Sequence, residues 1–183
     1  VSAVLVVIDT PGGTTTGGES IYRGLRRIGE NGVPMVAVIR NVGASAGYMI
    51  ALGTDRIYAL ETSITGSIGV LLETAEVSGL LERLGVTAET FRSGPLKGQP
   101  TPYAPLSDQA RAATQSLIDD IYNWFLAVFA ERRGLPLDVA RVLADGRAYT
   151  GRQALALNLI DAIGDERKAL QWLTEFQGIP GDL

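Results

Sequence analysis

Ser45 stands in the stretch NVGASAGYMIALGTDRIYA (residues 41–59), between alanines and glycines and directly after an apolar run. Small neighbours permit a sharp backbone turn and close approach of another chain, a setting in which a serine hydroxyl can act as a nucleophile. A helix beginning at Ser45 would aim unpaired backbone N–H groups at a developing oxyanion. The same residues also suit a serine N-cap on a helix packed through small side chains. A nucleophilic serine needs a group to take its proton, and this chain has no histidine and no cysteine. A Ser-His-Asp triad is therefore impossible, and thiolate chemistry, disulfides and sulfur-based zinc sites are excluded as well. Lysine is the remaining base for an activated serine.

The chain has two lysines. Lys168 lies between GDER and ALQWL and reads as a solvated helix residue. Lys97 lies in SGPLKG, where no acidic residue occurs between Phe91 and Leu106. A lysine accepts a proton only where its surroundings disfavour the ammonium form, as an apolar pocket without a carboxylate does. The local sequence around Lys97 suits that role and equally suits a lysine exposed on a loop. A third candidate is DTPGG (9–13), a glycine loop whose backbone N–H groups could hold an oxyanion or a peptide carbonyl. A plain strand-to-helix turn fits the same residues. It is not a phosphate loop, because the G-x-x-x-x-G-K-[ST] pattern is absent.

Strands and helices must bring these segments together. Val4 to Ile8 is a continuous β-branched run and reads as a buried parallel strand ending in the glycine loop. Residues 19–30 place Ile21, Leu25 and Ile28 at helical spacing. Met35–Ile39 predicts a second buried strand, Tyr48 to Leu52 the beginning of a helix, and Arg56–Ala59 a third strand. TSITGSIGV (62–70) reads as a glycine-broken loop and strand, 76–84 as helix, and Thr87–Phe91 as a short strand. The proline-rich stretch 92–107 has no periodicity, so tertiary contacts and not regular structure would hold Lys97. Ser107 can cap a long helix over 108–133 with Leu117, Ile121, Phe125 and Val128 on one face. Its Tyr122, Trp124, Phe125 and Phe129 exceed one core stripe, which predicts contact with a neighbouring subunit or a missing segment. Helices follow around 136–144 and after Thr150. Strands alternating with helices predict an α/β fold around a mostly parallel sheet, in one domain over 1–183.

With 183 residues, 46% hydrophobic and 20% charged, the chain has an ordinary globular balance. Its net charge of −4 lacks the basic excess of a nucleic-acid binder. No apolar run approaches the roughly 18–20 residues of a membrane span. The sequence starts inside its first apolar run without an initiator methionine, so upstream strands or an anchor are expected before Val1.

DTPGG, GASAGYMIALGTDRIYA, TSITGSIGV and FRSGPLKG, in this order and spacing, resemble the signal peptide peptidase A family. The late stretch GRAYTGRQALALNLIDAIGD (146–165) is similar to the family's closing segment. The resemblance implies a Clp protease/crotonase-like fold with repeated β-β-α units and C-terminal helices, and a peptidase with a serine–lysine dyad. It implies Ser45 as nucleophile, Lys97 as general base, Ser67 orienting the lysine amine, and Gly13 and Ala46 donating the oxyanion-hole N–H groups. It further implies cleaved signal peptides as substrates, no metal or cofactor, and a homo-oligomer. The location implied is the bacterial inner membrane, with the catalytic domain on the periplasmic side and an anchor outside this sequence. The first motif departs slightly, with Asp9-Thr10 where asparagine or aspartate followed by serine is common. Alternatives weighed are a phage capsid-maturation protease of the same family, an inactive membrane scaffold, and a crotonase-like acyl-coenzyme A enzyme. The last lacks the acidic residues that such chemistry usually employs.

A lysine base acts only in its neutral form. Activity is therefore expected to climb towards alkaline pH and level off there. A pH–rate profile checks this, and a plateau already reached near neutrality would contradict it.

Overall fold

The strand that carries Ser45 changes partners halfway along its length. In the computed structural model, which describes residues 1–178, β2 (Met35–Ala44) pairs in parallel with β1 (Val4–Thr10) on one side. On the other side its first half pairs with β3 (Arg56–Ala59), through Val36↔Arg56 to Ile39↔Ala59. Its second half pairs with β4 (Ile64–Gly66), through Val42↔Ile64 to Ala44↔Gly66. All three partners run parallel to it. The sheet is completed by β5 (Ala148–Thr150), antiparallel to β4, and by β6 (Ala162–Ile163), parallel to β3. Helices α1 (Thr15–Glu30), α2 (Ala46–Ala51), α3 (Ser78–Arg83), α4 (Asp108–Arg133), α5 (Leu137–Leu143), α6 (Gly151–Ala156) and α7 (Glu166–Gln177) connect and follow these strands. The result is an α/β fold with a curled, mostly parallel sheet, compatible with a Clp protease/crotonase-like fold.

The chain divides into two compact units, residues 1–69 with 123 onward, and residues 70–122. All six strands belong to the first. Its core holds the fully buried Met35 to Ile39 of β2, Ile57 of β3, and Phe125, Leu126 and Phe129 of α4. Burying a side chain of this kind contributes roughly 1.5–3 kcal/mol. A satellite of this core packs Leu173 and Ala169 of α7 onto Val36, Val38 and Tyr58.

The aromatic surplus expected on the long helix is largely absorbed within this unit. Phe125 and Phe129 are core, Phe129 meets Tyr48 edge to face, and Trp124 stands edge-on to Tyr22 with ring centroids 6.4 Å apart. Leu117 does not share the buried stripe of Phe125 and Val128: it is 57% exposed.

The second unit holds α3, the part of α4 up to Tyr122, and two turn-rich connections. Val77 N–H donates to the Pro102 carbonyl at 2.8 Å, and Val86 N–H closes α3 by donating to Leu81. The strand expected over Thr87–Phe91 is absent. Residues 86–91 carry no regular structure and are exposed, Phe91 at 92%. A short segment forms a strand only against a partner, and no described strand lies in this unit.

Helix α1 begins a turn earlier than its apolar spacing suggests, because Thr14 accepts from Gly17 N–H as its N-cap. The long helix starts at Asp108 as expected, with the Ser107 hydroxyl accepting from Ala110 N–H at 3.2 Å. Thr150 and Gln153 cap α6 reciprocally.

Helix α2 has only six residues and is too short to hold itself. It is fastened from outside. The fully buried Tyr48 hydroxyl donates to the Leu159 carbonyl at 2.6 Å, and burial holds the phenol far above its ordinary pKa, so it remains a donor. Arg132 of α4 donates to the Leu52 and Thr54 carbonyls just beyond the helix end, at 2.8 and 2.9 Å. Tyr48→Phe leaves the Leu159 carbonyl without this donor and is expected to cost about 1–3 kcal/mol. Thermal denaturation measures it, and an unchanged midpoint would show that the bond contributes nothing net.

Candidate active site

Two serines meet at the tops of neighbouring strands. The β2–β4 register sets Ala44 opposite Gly66, so the residues that follow, Ser45 and Ser67, leave adjacent strands together. Ser45 N–H donates to the Gly66 carbonyl at 2.9 Å, and Ser67 N–H donates to Arg147 at 2.8 Å. Both serines have positive φ, 52° and 50°. Such a conformation is uncommon for residues with a side chain and persists only where surrounding contacts impose it. Here the strand ladder below and the helix above supply those contacts. Ser45 sits at the N-cap position of α2, yet its side chain makes no capping bond, so the hydroxyl is not consumed by the helix. The plain N-cap alternative is thereby set aside.

Gly12 belongs to this corner. Its φ is +126°, and a Cβ built on it would stand 3.0 Å from Ser45 Cβ and 3.4 Å from Ser45 Oγ. Only a residue without a side chain fits there. Gly47, two residues after the serine, lies so close to Thr10 that a Cβ would come within 2.8 Å of its methyl group. These approaches bring the DTPGG loop onto the start of α2. Gly13 itself is exposed, with open space where a side chain would sit. Ala46 is buried and occupies the first helical position, whose N–H has no intrahelical partner.

The loop before β5 borders Ser67. Tyr149 Cδ2 would lie 2.6 Å from a Cβ on Gly66, and Gly146 Cα 3.5 Å from one on Gly69. Arg147 pairs with Asp145 in this loop and holds that carboxyl below its usual range. Tyr149 donates its hydroxyl to the Leu143 carbonyl, and burial raises its pKa.

Lys97 lies in the second unit, in a turn where its N–H donates to the Gly94 carbonyl at 3.1 Å. Its side chain is exposed and makes no hydrogen bond or ion pair with the described residues. The burial that a lysine base requires is therefore not made within that unit. Lys168 is also exposed and donates to the Ile163 carbonyl at 3.2 Å, as befits a residue of helix α7.

Two buried hydroxyls escaped the reading of the sequence. Thr65, wholly buried, donates to the Gly43 carbonyl at 2.8 Å. Ser63, 2% exposed, accepts from Leu60 N–H and donates to the Arg40 carbonyl. Both side chains hold β2 just below Ser45. The alternation of hydroxyls in Ser63-Ile64-Thr65 is the signal that could have found them, since it places both on one face of a strand.

Gly12→Ala should abolish reactivity of Ser45 with the fold retained, because the added methyl enters the space beside its hydroxyl. Gly134→Ala, also at positive φ but facing open space, should cost only about 1–3 kcal/mol of stability. Parallel melting curves and serine-labelling assays compare them, and equal reactivity in the two variants would refute the assignment of Gly12 to the site.

The profile of Peptidase family S49 matches residues 27–179. The chain is 39% identical over 180 residues to the "Putative protease slr0021" of Synechocystis sp., covering 98% of this chain and 65% of that protein. It is 37% identical over 173 residues to the "Putative signal peptide peptidase SppA" of Enterococcus faecium, covering 94% and 50%. It is 30% identical over 181 residues to the "Serine protease SPPA, chloroplastic" of Arabidopsis thaliana, covering 97% and 26%. The chain thus spans between a quarter and two thirds of the length of these three relatives. The matched region takes in β2, α2, β4 and everything between them, the elements that seat Ser45 and Ser67, and on that ground the chain belongs to peptidase family S49.

Proposed function

We propose that this chain is the catalytic domain of a serine peptidase that cleaves extended apolar peptides, cleaved signal peptides among them, with Ser45 as nucleophile and Lys97 as base. The observation that carries the reading is the strand-to-helix corner at Ser45, its hydroxyl free of capping duty and Gly12 pressed against it. The absence of histidine and cysteine leaves lysine as the base, and of the two lysines it is Lys168 whose amine is engaged, with Ile163, while the Lys97 side chain makes no hydrogen bond among the described residues.

In the proposed cycle the neutral Lys97 amine takes the Ser45 proton as Oγ attacks the peptide carbonyl carbon. The Gly13 and Ala46 N–H groups donate to the oxyanion, an interaction worth roughly 3–4 kcal/mol per donor in comparable sites. Collapse breaks the C–N bond, and the lysine ammonium returns the proton to the leaving amine. Water, deprotonated by the same amine, then attacks the acyl carbon; the C–Oγ bond breaks, the acid product leaves, and the lysine ammonium returns the proton to Ser45 Oγ. Ser67 orients the lysine amine. No step calls for a metal or an organic cofactor. Burial of Lys97 has to come from outside its own unit, and an apolar substrate laid over the site is one source of it. The protein acts as a homo-oligomer associated with the bacterial inner membrane, its catalytic domain on the periplasmic side.

Ser45→Ala and Lys97→Ala should each lower turnover of an apolar peptide by at least 1,000-fold with the fold intact, in line with the loss of other catalytic nucleophiles and bases. Lys97→Arg should not rescue, because a guanidinium keeps its proton at working pH. Lys168→Ala should leave turnover unchanged. Steady-state kinetics with circular dichroism as the folding check decides it, and substantial activity in Lys97→Ala would overturn the mechanism.

A further inference from the structure

We propose that Asp9 is a positioning residue for Ser45, acting through a bulge that it clamps in β2; this rests on the reading of Ser45 as nucleophile. The β1–β2 ladder is regular from Val4↔Met35 to Ile8↔Ile39 and then slips, so that Thr10 faces Gly43. Three residues of β2, Arg40, Asn41 and Val42, therefore oppose Asp9 alone. A bulge leaves backbone groups unpaired and bends its strand, and bulges beside active sites re-aim side chains. Here the bend falls where β2 exchanges β3 for β4, and Ser45 follows three residues later.

Each bulged residue is held by a side chain. The Asp9 carboxylate accepts from Asn41 Nδ2 at 2.7 Å and from Val42 N–H at 3.2 Å, in place of the missing ladder bond. The buried Ser63 hydroxyl takes the Arg40 carbonyl from the opposite side. The Arg40 guanidinium pairs with Glu166 at 2.5 Å. Of these groups Asp9 alone spans two of the three residues, and it comes from the strand that leads into Gly12 and Gly13. One carboxylate thus couples the two segments that converge on Ser45. Asp9 is exposed, so removing it leaves no cavity, and its loss should affect geometry more than stability.

The test is the rate at which a fluorophosphonate labels Ser45, with peptide KM and the melting midpoint measured beside it. Wild type should label and Ser45→Ala should not. Asp9→Ala is expected to label at least tenfold more slowly, with KM changed less than twofold and a melting midpoint close to wild type. Asp9→Asn should stay within threefold of wild type, because its amide oxygen can still accept from Val42 while a flipped Asn41 amide restores the second bond. Asn41→Ala, which removes half of the clamp, should fall between. Labelling of Asp9→Ala at the wild-type rate would overturn the inference, as would equal losses in Asp9→Asn and Asp9→Ala. Failure of wild type itself to label at Ser45 would instead sink the nucleophile reading on which the inference rests.

Discussion

One strand has to satisfy two successive neighbours on the same side, and most of this architecture follows from that. β2 pairs with β3 up to Ile39 and with β4 from Val42, while β1 keeps its place along the other side. A regular strand cannot make that exchange, because its hydrogen-bonding groups are fixed in register with one flat neighbour. The chain resolves the conflict with a slip against β1 and side-chain hydrogen bonds where the ladder fails. The exchange also determines what stands at the strand's end. Because β4 pairs only with the last residues of β2, its own end meets that of β2, and the two serines emerge side by side.

The short helix above this junction depends on its surroundings. Six residues of isolated helix are unfavourable in water, since nucleation fixes several residues before any bond is gained. Against this stand the Tyr48 bond to Leu159 and the two Arg132 bonds to Leu52 and Thr54. Bonds from a charged donor contribute roughly 1.5–3 kcal/mol each, enough to outweigh the helix's intrinsic deficit. The anchors come from α4 and from the segment after α6, both remote in sequence. α2 is thus a product of tertiary structure, fastened by Tyr48 within it and by the Arg132 bonds beyond its C-terminal end.

Much of the fold was legible where local chemistry is decisive. The apolar runs at Val4, Met35 and Arg56 formed the three expected strands, although β1 is less buried than its sequence suggested, with Ile8 buried and Val7 43% exposed. The long helix had a cap, periodicity and length to mark it, and its bounds agree with the structure. Thr87–Phe91, read as a short strand, has no described strand beside it in its unit and forms none. β5 and β6, with three and two residues, owe their existence wholly to partners and left no pattern to read. At the candidate site, the identity of Ser45 and the missing histidine spoke directly from the sequence. The adjacency of Ser45 and Ser67 did not, because it is a consequence of register between β2 and β4, strands separated in sequence by α2 and β3. The hydroxyls of Ser63 and Thr65 were equally silent, since a buried hydroxyl announces itself only by the carbonyl it finds.

The bond between Ser67 and Arg147 joins positions far apart along the chain, and β5 reaches back to β4 just beyond it. During synthesis the segment bearing Ser45 leaves the ribosome long before the segment that fixes Ser67. The corner of the site that holds both serines cannot be finished until β5 has emerged and docked. A growing chain therefore carries Ser45 and Ser67 in an unassembled corner until Arg147 and β5 have been made. The order of the residues along the sequence makes the nucleophile's corner the last part of the sheet's β4 side to close.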